Sequence, residues 1–297
     1  MSMWLLKKSY AICLKSMEVL FGIERAKIFD TSLRFHKKLN LREPKTLSDK
    51  VSYIELHEQS ELAAECTDKF AVRNYVKSRG LEEILIPAVG GPWNSVEQID
   101  FSLLPNKYVL KATHGCKMNY VVKDNTNLNE SECKETLRQW LKVTYGTYSV
   151  EPHYRMIPHR IYAEQFLDGI DDLVDYKIHC CNGKPQFILT CSNRKSSRND
   201  PMSVTLDLFD LEWHHLSGIV GYGSEVAGDG SLPRPAQLKQ MLEIAEKLAG
   251  NIKFVRIDLY ELGGQIFFGE MTFSPACCVF PYFSKEFDLE MGKRLIL

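Results

Sequence analysis

Two strand-forming runs near the C-terminus, residues 254–260 and 265–271, are joined by Gly263 and Gly264, and no other feature constrains the fold as much. A tight glycine turn between two such runs predicts an antiparallel hairpin. Asp258 and Glu270 then lie on facing strands, where their carboxylates can sit side by side on one face of a sheet. Paired carboxylates repel unless a cation or a proton intervenes. Oxygen ligands of this kind suit Mg²⁺, which usually takes one or two carboxylates and completes its shell with water and substrate phosphates. Taken alone, the pair is better read as two carboxylates on solvated strand positions.

The rest of the chain supplies the frame. Asn182-Gly183 between residues 175–181 and 185–190 is a second hairpin signal. Residues 84–87, 107–112, 120–122 and 160–167 read as further strands by composition. Helices are expected from the start to about Phe29, after Thr46 through Leu47, Val51 and Ile54, from Thr67 to a stop at Gly80, over about 131–145 and over 235–248. Helices and antiparallel hairpins in separate runs predict an α+β chain. Its expected divisions are a helical N-terminal region (1–80), a first subdomain (81–160) and a second (161–297).

Composition excludes several classes of function. With 37 Lys+Arg against 38 Asp+Glu, the net charge of −1 offers no basic excess for a nucleic acid. Nine cysteines, two adjacent pairs among them (Cys180-Cys181 and Cys277-Cys278) and no C-x-x-C, read as reduced thiols rather than a disulfide or zinc framework. The apolar N-terminal residues are interrupted by Lys7, Lys8, Lys15 and Glu18 too often for a signal peptide or a membrane span. A cytoplasmic protein is expected. Its first helix packs on its own domain or makes peripheral contact with the inner face of the membrane.

Three further constellations carry chemistry. Lys111 ends a strand and is followed by a loop with His114, Gly115, Lys117 and Asn119, donors that can cover phosphates. Glu164, Gln165, Phe166 and Leu167 form a segment whose backbone and carboxylate can meet an adenine edge. Lys177, with Asp175 two residues before it, and Arg194 lie at the ends of the Asn-Gly hairpin, and Arg194 and Arg256 are placed to clamp phosphates or a carboxylate.

In this order the elements resemble the ATP-grasp superfamily, and more closely its TupA-like branch, associated with teichuronopeptide biosynthesis and often found among polysaccharide genes. Residues 41–50, Asp68-Lys69 with Arg73 and Tyr75, 111–115, 254–260 and 270–275 carry the resemblance, which runs from about Phe35 to about Phe283. It implies an ATP-grasp fold in which two α+β subdomains clasp ATP and Mg²⁺. The carboxylate of one substrate would be phosphorylated to an acyl phosphate and then attacked by an amine, releasing ADP and phosphate. By the same resemblance Lys111 meets the α-phosphate, the loop from His114 to Asn119 covers the outer phosphates, and Glu164, Gln165, Phe166 and Leu167 hold adenine. Lys177, Arg194 and Arg256 would serve the transferred phosphoryl group or the acid, and Asp258, Glu270 and Thr272 the metal. Thr272 stands where many ATP-grasp enzymes carry an asparagine. The implied acceptor is a uronic acid of a glycan, a nucleotide sugar or a lipid-linked oligosaccharide, joined to an amino acid or another amine. A glycan kinase and a non-catalytic nucleotide- or glycan-binding module are the alternatives.

Overall fold

The computed structural model describes residues 3–58, 60–169, 173–193 and 204–297. Helices α1 (Met3–Phe21), α2 (Ile23–Phe35), α3 (Leu47–His57), α4 (Ser60–Thr67) and α5 (Val72–Ser78) come first. Strands β1 (Ala88–Trp93), β2 (Tyr108–Ala112) and β3 (Asn119–Val122), helix α6 (Glu130–Leu141) and β4 (Ile161–Gln165) follow. The remainder comprises β5 (Asp175–Cys181), β6 (Lys184–Ser192), β7 (Val204–Phe209), β8 (His215–Leu216), β9 (Glu225–Ala227), α7 (Leu238–Ala249), β10 (Phe254–Leu262), β11 (Gln265–Thr272) and α8 (Lys285–Arg294).

The strands form two sheets. The first has the order β1-β4-β2-β3 and the second β11-β10-β5-β6-β7-β8, with β9 added parallel to β7. β4 begins at Ile161, where the second subdomain was expected to start, yet it is hydrogen-bonded between β1 and β2 of the first sheet. The two sheets therefore divide after Gln165. Of residues 84–87, expected as a strand, Ile84 instead ends a short 3-10 turn (Glu82–Ile84), the rest lead out of it, and the strand starts at Ala88.

Alternation sets the packing of the second sheet. Ile178, Ile257 and Leu259 point to one face, where Met241, Ala245 and Leu248 of α7 cover them. At one end of the opposite face Phe187, Phe254 and Phe280 are buried beneath Leu47, Val51 and Ile54 of α3. Tyr108, Leu110, Ile161 and Ala163 of the first sheet pack on Cys133 and Leu137 of α6.

Local signals explain several boundaries. The Thr46 side chain accepts the Asp49 N–H and the Asp49 carboxylate accepts the Thr46 N–H, a reciprocal cap that starts α3. Gly22, at φ +86°, breaks the first expected helix in two. Asn182 and Gly183 both take positive φ in the β5–β6 turn, as a tight hairpin requires. A Cβ on Gly183 would lie 2.0 Å from the Gly250 carbonyl oxygen. Gly183→Ala should therefore destabilise the protein by more than the ~1–2 kcal/mol of left-handed strain alone, measured by denaturant titration. A change within about 0.5 kcal/mol would contradict that placement.

All nine cysteines are free. Among the described residues no helix is long and apolar enough to cross a membrane. α1 and its exit nevertheless leave Ile12, Val19, Leu20 and Phe21 exposed.

Candidate active site

Strand register builds the site. Lys177 of β5 lies opposite Asp258 of β10, which lies opposite Glu270 of β11. One step along the same face, Arg256 lies opposite Thr272, and Asp175 is two residues before Lys177. With a side-chain period of two, these six residues share one face of three adjacent strands. Gly269 is the extra residue where Asp258↔Glu270 gives way to Leu259↔Phe268. Such a bulge adjusts the strand beside the site.

The charges on this face are tightly interlocked. The Arg256 guanidinium donates from Nε to Asp258 Oδ1 at 2.6 Å and from Nη2 to Asp258 Oδ2 at 2.7 Å. The same Nη2 lies 3.0 Å from Glu270 Oε1 and 3.0 Å from Thr272 Oγ1. Lys177 Nζ is 2.5 Å from both Asp258 Oδ2 and Asp175 Oδ2. Burial alone would raise the Glu270 pKa, but Lys69, Arg256 and Lys177, with the Thr272 hydroxyl, hold it down to about 2.

Above this face, between the two sheets, is a cavity of about 320 Å³. Val109, Phe166, Leu173, Tyr260 and Phe268 give it apolar walls, while Lys69, Lys111, Asn119, Glu164, Gln165 and Glu270 supply polar edges. A small apolar slot with a few fixed polar groups has the character of a ligand site. Lys111 pairs with Glu164, whose other oxygen accepts the Tyr162 hydroxyl at 3.0 Å.

The structure thus brings Lys111, Asn119, Glu164, Gln165, Phe166 and Glu270 into one cavity and ties Lys177, Arg256, Asp258 and Thr272 to its floor. Leu167 is buried beside the cavity wall rather than lining it. Arg194 lies outside the described residues. Of the expected phosphate loop Asn119 lines the cavity, whereas Gly115 and Lys117 do not; a Cβ on Gly115 would lie 2.9 Å from the Tyr145 ring, and Lys117 adopts φ +59°. His114 is not brought into the cavity. Its ring is fully buried, stacked on His159 at 3.9 Å, with Nε2 3.1 Å from the Trp140 carbonyl oxygen.

Lys69 is the site residue that the sequence did not single out as a ligand. A helix was expected to run through it. Asp68 Oδ1 instead accepts the N–H groups of Phe70 and Ala71, and Asp68 Oδ2 takes the Arg160 guanidinium at 2.8 Å. This side-chain turn interrupts the helix between α4 and α5. Lys69 is left with its N–H on the Thr113 carbonyl and its Nζ 3.9 Å from Glu270 Oε2. An Asp followed by a lysine between two helical segments was the available signal.

Among the described residues no three His, Cys, Asp or Glu side chains converge as a metal site. The oxygens of Asp258, Glu270 and Thr272 converge on the Arg256 guanidinium, so in this arrangement they do not fit a divalent cation held by the protein alone.

Buried histidines give the molecule a pH dependence. Loss of water lowers the pKa of His114 and of His153 to about 4. An unfolded imidazole titrates near ~6.5, so between about pH 6.5 and 4 the unfolded chain binds more protons and stability rises with pH. Each histidine contributes on the order of 3 kcal/mol above this window. The thermal midpoint should fall on going from pH 7 to pH 5, and an unchanged midpoint would contradict the burial of these rings.

The family described as TupA-like ATPgrasp matches residues 49–296. No curated protein matches the sequence. Among solved structures, phosphoribosylamine–glycine ligase from Thermotoga maritima is similar over 74% of this chain and 52% of its own, at 14% identity and a TM-score of 0.45. D-Alanine–D-alanine ligase from Bacillus anthracis is similar over 72% and 59%, at 14% identity and a TM-score of 0.42. The Helicobacter pylori D-alanine–D-alanine ligase is similar over 86% and 70%, at 14% identity and a TM-score of 0.45. The chain spans only about half the length of the first of these ligases.

Proposed function

This chain belongs to the TupA-like ATP-grasp family, and on that premise we propose that it is an ATP-dependent carboxylate–amine ligase acting on a uronic acid of a glycan or glycan precursor. The observation that carries the reading is the convergence of Lys69, Lys177 and Arg256 beside a slot that has apolar walls and a few polar edges. The adenine ring would lie between Val109, Phe166, Leu173, Tyr260 and Phe268, with the backbone of 164–167 at its edge. Lys111 would meet the α-phosphate, and the three cations at the far end the outer phosphates.

The chemistry follows from that placement. The substrate carboxylate attacks the γ-phosphorus, the bond to the β-phosphate oxygen breaks, and ADP leaves with that electron pair. The amine then attacks the acyl carbon, inorganic phosphate departs, and the amine gives up one proton as the amide forms. Lys177 and Arg256 neutralise charge on the phosphoryl group and orient the acid, work that is mostly positioning and electrostatic stabilisation. Asp175, Asp258 and Glu270 hold those cations in place.

Release of ADP and phosphate, followed with a panel of uronic acids, nucleotide sugars and oligosaccharides plus pooled amino acids, tests the reading. ADP that requires both the acid and the amine, with a new amide mass, is the expected outcome. ADP with a phosphorylated sugar and no need for amine would replace the ligase by a kinase. ATP binding without turnover on any acceptor would favour a binding module. The exposed apolar residues of α1 place a lipid-linked acceptor among those to include.

A further inference from the structure

We infer that the hairpin of α1 and α2 docks the protein on an anionic lipid surface, with Val19, Leu20 and Phe21 entering the interface. Four consecutive residues at its turn, Val19 to Gly22, are exposed, the three apolar ones by 72%, 71% and 50%. A Cβ placed on Gly22 meets nothing within 4 Å, so the turn stands clear of the body. Ile12 and Ser16, both exposed, precede Val19 and Leu20 at helical spacing and extend the outward face of α1, while Leu14 on the other side is buried with Ala26 and Val150. Single exposed apolar side chains are ordinary, but a contiguous set at a protruding turn marks an interaction surface.

Contacts with the body hold this face outward. Arg155 donates to both Glu18 oxygens at 2.7 and 3.0 Å, and Lys27 reaches the Val150 carbonyl oxygen at 2.9 Å beside its pairing with Glu55. Charge selects the partner. Residues 1–38 carry eight Lys or Arg against three Asp or Glu, a net +5 in a chain whose total is −1, so the other 259 residues carry −6. Lys27, Arg34 and Lys37 are held by Glu55, Asp30 and Asp288, whereas Lys15, Arg25 and Lys38 are exposed. Of the three acids only Glu24 is exposed, and it lies 3.1 Å from His57 Nε2. A cationic element with an apolar tip suits an anionic bilayer, the apolar side chains at the acyl boundary and the basic ones against lipid phosphates. A second copy is the poorer occupant, because a two-fold contact through this face would set one net +5 segment against another.

Sedimentation of the full chain with vesicles tests the assignment, comparing phosphatidylcholine alone with an equal mixture of phosphatidylcholine and phosphatidylglycerol. Neither nucleotide nor acceptor is present, so the result stands apart from the ligase reading. Binding to the anionic vesicles should exceed that to the neutral ones at least about tenfold, and should weaken at least about fivefold when NaCl rises from about 0.1 to about 0.5 M. Leu20→Asp and Phe21→Asp should each weaken it at least about tenfold, since each removes apolar contact and adds repulsion. Leu103→Asp, at an apolar position 80% exposed on the turn Phe101–Leu103, adds the same charge elsewhere and should change binding by less than about twofold. Melting curves report whether each variant is folded. Wild type that fails to bind anionic vesicles would overturn the inference, as would equal binding to both vesicles, folded Leu20→Asp and Phe21→Asp that bind like the wild type, or an equal loss in Leu103→Asp. A dimer seen by light scattering without lipid, and broken by Leu20→Asp, would give this face to a second copy and overturn it as well.

Discussion

Lys177→Met should slow ADP release by about 10²- to 10³-fold, the scale set by removing one preorganised donor from a charge-developing transition state. Lys177 is 9% exposed and lies between Asp175 and Asp258. Its loss removes a cation from the transferred phosphoryl group and leaves two carboxylates short of a partner. The second consequence is a stability effect, so the rate must be read beside a melting curve. Lys177→Arg, which keeps the charge, should recover part of the stability but less of the rate, because a planar fork does not reproduce a point charge. Lys69→Met separates the two effects. Its partner Glu270 is more open and 3.9 Å away, so stability should change by under about 1 kcal/mol while turnover still falls. Near-normal turnover in folded Lys177→Met would remove this lysine from the phosphoryl site.

The second large effect lies behind the site. Lys27 is fully buried, with Nζ 2.5 Å from Glu55 Oε2 and 2.9 Å from the Val150 carbonyl oxygen. Breaking a buried pair from one side typically costs about 3–5 kcal/mol, so Lys27→Met should lower the thermal midpoint by on the order of 10 °C. Burial already pushes the Glu55 carboxyl up to about 7 with Lys27 beside it. Without that lysine the carboxyl stays protonated in the folded chain to higher pH. Above about pH 7 the wild-type carboxyl has ionised while that of the variant keeps its proton, so the loss of stability relative to the wild type should grow as pH rises beyond that point. Adding Glu55→Leu should restore much of the midpoint, since replacing both partners leaves no orphaned charge. A midpoint unchanged in Lys27→Met would contradict the burial of this pair.

These two lysines mark what the sequence could and could not reveal. Signals that act within a few residues were legible: the Thr46–Asp49 cap, the Asn182-Gly183 turn and the hairpin that sets Asp258 opposite Glu270. The two-residue period then carried Arg256, Asp258, Glu270 and Thr272 to a common face. Relations between distant segments were not legible. Lys27 and Glu55 meet through helix packing, and β4 joins the first sheet through partners about fifty or more residues upstream. His114 looked like a phosphate-loop donor because nothing nearby in sequence shows that His159 stacks on it. Lys69 was hidden by a helical pattern that the Asp68 side chain interrupts. The magnesium expectation followed from two facing carboxylates, and the guanidinium between their oxygens became visible only in three dimensions.

Photolabelling with 8-azido-ATP, followed by peptide mapping, tests most directly whether the slot between the two sheets is the nucleotide site. Label confined to peptides carrying residues 107–122, 160–173 and 260–270, and competed away by ATP, is the predicted result. Label concentrated elsewhere, for example on the open groove at Gly183 and Gly250, or label that ATP does not compete, would contradict it.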